Sequence, residues 1–247
     1  MAHEVKGFVD IHIHILPGID DGPEDWEEAI QMAKAAQEDG IAAVVATPHN
    51  IGFGQELNRN QILLLVEELK GKLLKEGVAL QIFPGIEVLL VPEVLLLLEE
   101  GKAFTLNGSR YILVELPYAF YPVYSEYALF KLLERGYRPI LAHPERYAYF
   151  QSRPELLKPL VKMGVLVQLT SSSITGELGG RAKETSRFFL QEGMAHIIAT
   201  DAHSPRWRKP TMREAFEEVS CVLGQEKAME MFFFNPKAIL EDEEIKI

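Results

Sequence analysis

The chain has one cysteine, Cys221, in 247 residues. No internal disulfide can form, and a zinc cage built on cysteines is excluded. A cysteine-phosphoenzyme phosphatase is disfavoured too. Its loop needs Cys-x5-Arg, but the sixth residue after Cys221 is Lys227, with no glycine-rich phosphate cradle between them. The helical pattern over 212–223 instead predicts Cys221 in the core. Positive charge is also scarce: 25 Lys and Arg against 36 Asp and Glu give a net charge of −11. Such a surface binds phosphate backbones poorly and is repelled by anionic membranes, so neither nucleic acid nor a membrane is an expected partner. Long apolar runs are missing as well. The stretch "VPEVLLLLEEG" falls far short of the roughly 20 apolar residues a spanning helix needs. No basic segment followed by an apolar run reads as a signal peptide, so the cytoplasm is the expected location.

What is present is a repeat of short strands and amphipathic helices. Hydrophobic residues make up 47% of the chain, enough for a large core. Apolar, β-branched runs recur at 8–14, 41–47, 80–88, 111–116, 139–144, 165–170 and 196–203. Between or after them, 24–39, 58–76, 92–100, 124–135, 153–163, 181–192, 212–223 and 225–234 carry helical periodicity. In the first, Trp26, Ala29, Ile30, Ala33 and Ala36 share one face. Glycines at 40, 77, 101, 136, 164, 193 and 224 follow helical stretches, where a left-handed residue is wanted. Strand–helix alternation run seven times predicts a parallel sheet in one domain, 1–247.

Parallel strands buried on both faces are nearly all apolar. Here polar residues cluster at the ends of strands. The first strand offers His12 and His14, which alternation places on one face. The second ends at His49. The third carries Glu87 and the fourth Glu115. The fifth ends in "AHPER", with His143, Glu145 and Arg146, and the seventh in "TDAH", with Asp201 and His203. Asp20 and Asp21 close the turn after the first strand. In a closed barrel all these ends share one face, whereas in an open sheet they spread along an edge. We therefore expect an α/β fold, a seven-stranded barrel. Five histidines and the carboxylates Asp21, Glu87, Glu115 and Asp201 suffice for more than one ion. Mixed imidazole and carboxylate donors suit Mn, Fe, Co or Zn better than Mg or Ca. Paired ions are a common device for hydrolysing phosphoesters.

Other polar residues read more plainly. Asp20 is expected to form the turn, Glu145 to be solvated or salt-bridged in a loop, and His196, at the start of its strand, to be structural. His3 is expected in a mobile tail. The aromatic run "YAFYPVYSEY" (118–127) reads either as packing over the barrel rim or as a wall for an aromatic substrate.

The strings "DIHIHILPGIDDG", "ATPHN", "GIEV", "LAHPERY" and "TDAHS" resemble the polymerase-and-histidinol-phosphatase (PHP) superfamily. Within it they are most similar to the bacterial CpsB/YwqE-type protein-tyrosine phosphatases. The resemblance implies a distorted (β/α)7 barrel with two or three Mn2+ ions. One ion would be held by His12, His14, Glu87 and Asp201. A second would take Glu87 as a bridge, with Glu115 and His143, and a third Asp21, His49 and His203. Arg146 would hold the phosphate, with Arg206 a second candidate, and His143 and Asp201 would also serve catalysis. Where the family has H-S-H, this chain has Ile13, which should point away from the ligands.

The reaction expected is in-line attack on a phosphomonoester by a metal-bound hydroxide, with no phosphoenzyme. The substrate implied is a phosphotyrosine protein, the tail of a bacterial tyrosine kinase, in capsule or exopolysaccharide control. Histidinol phosphate or another small phosphate ester is the alternative on the same scaffold. A regulatory, non-enzymatic PHP module is the other, although every ligand position is filled here.

Overall fold

In the computed structural model, residues 6–50 and 57–245 are described. Eight parallel strands follow one another: β1 (Phe8–Ile13), β2 (Ile41–Ala46), β3 (Gln81–Pro84), β4 (Glu87–Leu89), β5 (Tyr111–Glu115), β6 (Arg138–Ala142), β7 (Leu166–Thr170) and β8 (Ile197–Ala199). They form two sheets, ordered β1-β2-β3 and β4-β5-β6-β7-β8. The single third strand expected over 80–88 is thus broken in two. Gly85 sits at the break, where a Cβ would lie 2.6 Å from Val45 Cγ1, so only glycine fits against β2.

Short ladders join the sheets at both edges. The Glu87 amide donates to the Pro48 carbonyl and the Asn50 amide to that of Glu87, both at 3.0 Å. On the other side the Asp201 amide donates to His12 O at 2.8 Å and the His14 amide to Ala202 O at 2.9 Å. These contacts close the barrel, and they do so at the strand ends that carry the polar residues. Two apolar layers follow from the alternation. Val9, Ile11, Ala43, Val45, Leu113, Ile140, Leu166 and Ile197 pack on one another inside the ring. Ile13, Val44, Ile112, Leu141 and Val167 pack outward on helix residues such as Ala29, Met32, Leu129 and Phe189.

The first helix runs Trp26–Asp39, capped by Asp25, whose side chain accepts the Glu28 amide, and closed by Gly40 at φ 96°. The second, Arg59–Lys75, begins with a reciprocal capping box between Asn58 and Gln61. The periodicity over 153–163 resolves into a 3-10 turn (Pro154–Leu157) and a short helix (Lys158–Met163). That over 225–234 ends in a π-helical turn (Glu230–Phe234). Among the described residues no helix is long and apolar enough to cross a membrane.

His196 has the structural place expected of it. Its Nδ1 accepts the Val167 amide at 3.1 Å, and Asn235 donates to its carbonyl at 2.8 Å. Burial, with the charge of Lys227 behind it, pushes the imidazole down to about 4. The unfolded chain takes up a proton near pH 6.5 that the folded chain refuses. Stability from neutral His196 is therefore complete above that pH. It is lost as pH falls toward 4, by up to about 3 kcal/mol. His196→Asn keeps an acceptor but cannot titrate, so urea melts at pH 7 and pH 4.5 should show a shallower loss for the variant. Equal losses in the two proteins would remove His196 as the cause.

Candidate metal centre

β1 sets the site through a bulge. From Asp10 to Ile13 it spends three steps against two on β2, from Val44 to Ala46. One extra residue flips the side-chain phase. Val9 and Ile11 join the inner layer, and His12 and His14 still face the same interior, while Ile13 turns outward into the helix layer. The two imidazoles meet Nε2 to Nε2 at 3.3 Å. Each is fixed from behind, His12 Nδ1 by Gln168 Oε1 at 3.0 Å and His14 Nδ1 by Asp20 Oδ2 at 2.7 Å. An acceptor at Nδ1 keeps the proton there and leaves the Nε2 lone pair facing inward, the arrangement metal-binding histidines use.

Glu87 is the hub. Its Oε1 lies 2.9 Å from His143 Nε2. Its Oε2 lies 3.0 Å from His49 Nδ1, 3.3 Å from His12 Nε2 and 3.4 Å from His14 Nε2. Asp201 Oδ1 is 3.4 Å from His12 Nε2 and 3.5 Å from His14 Nε2. Glu115 Oε1 reaches His49 Nδ1 at 3.1 Å, and Asp21 Oδ1 lies 3.2 Å from His203 Nε2. Four groups of ligand atoms could each hold an ion: His14, Asp21, His49 and His203; His12, His14 and Glu87; His12, His143 and Asp201; and His49, Glu87 and Glu115. All nine residues singled out in the sequence are thereby gathered. His143 and Glu115 each sit with Glu87 or its neighbours, but in different groups.

This donor set fits divalent ions. Glu87 Oε2 is buried and makes no hydrogen bond among the described residues, although three imidazole nitrogens stand around it. Burial opposes charge on His12 and His14, yet Glu87 and Asp201 raise the first imidazole and Asp20 the second, so the 3.3 Å gap between their Nε2 atoms takes positive charge, as a proton or as a metal ion. Burial opposes charge on Glu87, yet His12, His14 and His143 hold its carboxyl well below the usual range. Burial also opposes charge on Asp201, outweighed by His12, Arg208 and Arg146. Burial keeps His143 neutral, its imidazole down at about 4. Anionic carboxylates and neutral imidazoles coordinate metal, so an ion would displace the protons that the carboxylates favour on His12, His14 and His49.

Two arginines converge beside these ligands. Arg146 Nη1 donates to Asp201 Oδ2, and Arg208 Nη2 donates to the same oxygen at 2.6 Å. Arg206 does not join them: its side chain is 80% exposed and faces Glu28 at 3.6 Å. The second arginine is Arg208, two residues further on. His143 and Asp201 both take left-handed backbone, at φ 37° and 50°, which turns the chain inward as it leaves β6 and β8. Such strain costs on the order of 1–3 kcal/mol and collects at functional sites. Around Asp201 it is held by buried Asp10, whose Oδ2 accepts the Thr200 hydroxyl at 2.5 Å and whose Oδ1 accepts the Thr200 amide at 3.1 Å.

Several sequence expectations change here. Glu145 is buried, not solvated, and accepts the Thr170 amide at 2.9 Å. Burial raises its carboxyl. Asp20 closes the turn, through the Gly22 amide at 3.0 Å, and also orients His14. Cys221 is exposed rather than in the core. The aromatic run divides: Tyr121 and Tyr124 pack against the core, whereas Tyr118, Phe120 and Tyr127 are exposed. His3 lies outside the described residues. Gln168 and Arg208 were not found from the sequence. Gln168 carried a signal, a polar residue in an otherwise apolar strand.

Comparison with known proteins agrees with this geometry. The model of the family described as "Capsular polysaccharide synthesis, CpsB/CapC" matches residues 8–241. The chain is 35% identical over 218 residues to tyrosine-protein phosphatase YwqE of Bacillus subtilis, covering 88% of this chain and 86% of YwqE. It is 32% identical over 237 residues to the putative tyrosine-protein phosphatase CapC of Staphylococcus aureus, covering 96% and 92%. A crystal structure from work on Bacillus subtilis YwqE and Streptococcus pneumoniae CpsB, described as metal-dependent tyrosine phosphatases, superposes with a TM-score of 0.93 at 34% identity, covering 96% of each chain. The chain belongs to the CpsB/CapC family, the tyrosine-phosphatase branch of the PHP superfamily that its motifs resemble.

Proposed function

We propose that this chain removes phosphate from tyrosine side chains of proteins, using two or three Mn2+ ions. The observation that supports this most is the pairing of nine ion-binding side chains with two guanidiniums at one carboxylate oxygen. When bound, divalent ions lower the pKa of water and neutralise charge on phosphoryl oxygens. His12, His14 and Glu87 would hold one ion with Asp201 beside them, Asp21, His49 and His203 a second, and Glu87 with Glu115 a third, while His143 stands with His12 and Asp201. Fe, Co or Zn suit the same donors.

The chain's own residues supply the rest. Arg146 and Arg208 lie beside Asp201, where a phosphate at the ions would sit, and a planar guanidinium can take two of its oxygens. Gln168 and Asp20 keep the imidazoles of His12 and His14 in one orientation, so the ligands need not reorganise during turnover. A phenolate leaving group, with a pKa near 10, needs less acid assistance than an alkoxide. We read the chain as one domain acting in the cytoplasm on the tail of a tyrosine kinase that governs capsule or exopolysaccharide synthesis.

The reading is tested by stripping the protein with chelator, reloading it with Mn2+, and offering a phosphotyrosyl peptide and histidinol phosphate side by side. The peptide should be hydrolysed at least tenfold faster, and chelator should abolish release. The opposite preference would move the protein to small-molecule metabolism.

A further inference from the structure

Tyr118 is unusual among the large side chains at the mouth. It is 47% exposed, yet it is held in place. The backbone leading to it is pinned twice: the Tyr147 hydroxyl accepts the Leu116 amide at 2.9 Å, and the Tyr149 hydroxyl donates to the Pro117 carbonyl at 3.2 Å. Its ring lies nearly parallel to that of His143, at 16° with centroids 5.9 Å apart. Tyr147 meets it edge-on at 4.9 Å. The Arg146 guanidinium carbon stands 5.5 Å from the ring centroid. A ring needed only for packing would be covered, as Tyr147 is. Tyr118 instead combines a fixed orientation with an open surface, beside the arginine that faces Asp201.

We propose that the Tyr118 ring is the specificity wall of the site, stacking on the aryl group of the substrate and favouring aryl over alkyl phosphates. This rests on the phosphatase reading above and gives that site its selectivity. A phosphate held at Arg146 and the ions would have its ester substituent leaving toward solvent, where Tyr118 offers an exposed aromatic ring beside Arg146. An offset or tilted ring pair prefers centroids about 4.5–7 Å apart, which an arylphosphate at Arg146 can meet. The ring also lies 5.5 Å from the Arg146 guanidinium carbon, so an aryl group stacked on it has its phosphate within reach of that guanidinium. Phe120, two residues on, is also exposed.

The test uses the metal-loaded protein and two unreactive ligands, phenylphosphonate and methylphosphonate, competed against a chromogenic phosphate ester. Both carry the same anionic head, and only one carries a ring. The wild type should bind phenylphosphonate more tightly. Tyr118→Ala should weaken phenylphosphonate roughly three- to tenfold and leave methylphosphonate unchanged. Tyr118→Phe should retain the wild-type ratio, because the role belongs to the ring. With phenyl phosphate as substrate, Tyr118→Ala should raise KM and leave kcat within about twofold. Equal weakening of both phosphonates in Tyr118→Ala would overturn the inference, since the ring would then act only by propping Arg146 or His143. A wild type that binds methylphosphonate as tightly as phenylphosphonate, while still hydrolysing phosphate esters, would overturn it too and leave the phosphatase reading standing. A metal-loaded wild type that hydrolyses no phosphomonoester would overturn that reading, and the wall with it.

Discussion

Replacing Glu87 by glutamine should lower turnover by on the order of 10³-fold or more and reduce the number of ions the protein retains. The side chain keeps its shape and loses its charge. Glu87 touches four of the other eight candidate ligands: His143 through one oxygen, and His12, His14 and His49 through the other. A neutral amide can neither bridge two ions nor offset their charge. Every group that shares Glu87 should weaken together, whereas loss of Asp21, which is half-exposed at the rim, should empty one group and spare the others. The barrel should survive. Its closure runs through backbone hydrogen bonds, from the Asn50 amide to the Glu87 carbonyl and from the Glu87 amide to the Pro48 carbonyl, which the substitution keeps. Metal analysis after gel filtration, with circular dichroism as the folding control, checks this. Full metal content and full activity in Glu87→Gln would refute the hub.

The candidate ligands were legible in the sequence for a physical reason. A carboxylate or imidazole inside an apolar strand is costly unless paired, so Glu87, Glu115, His12 and His143 stand out against their neighbours. The closed barrel followed because six of the seven expected strands carry such residues at their ends, and only closure brings them together. What could not be read was local geometry. Alternation put His12 and His14 on one face, but it did not reveal the bulge that lets Val9 and Ile11 share that interior, because an extra residue in β1 is defined only by its pairing with β2. The break at Gly85 depends on the closeness of Val45, a neighbour from another strand. Arg206 and Arg208 lie two apart in one loop, so spacing alone could not choose between them. A left-handed Arg208, at φ 48°, sends its guanidinium back onto Asp201. Glu145 and Cys221 exchanged environments for a similar reason: the turn after β6 is covered by β7 and the segment beyond it, while the helix at Arg213–Leu223 keeps its 221 face outward.

The second large effect separates holding phosphate from holding metal. Arg146→Ala should cut kcat/KM for a phosphotyrosyl peptide by roughly 10²- to 10³-fold with ion content unchanged. Arg146→Lys should recover only part of that, since an ammonium keeps the charge but not the fork that spans two phosphoryl oxygens. Arg208→Ala should behave alike, because both guanidiniums meet at Asp201 Oδ2. Sharing one oxygen makes the pair coupled, so the double variant should lose less than the product of the two single losses. The alternative is that the arginines serve Asp201 itself, holding its carboxyl charged and its strained backbone in place. Under that alternative Arg146→Ala sheds ions, and inhibition by free phosphate changes no more than metal content does. Measuring bound metal, kcat/KM and the inhibition constant of inorganic phosphate on one preparation distinguishes the two. Phosphate affinity falling while the ions stay would place Arg146 and Arg208 on the substrate. Both falling together would return them to the support of Asp201.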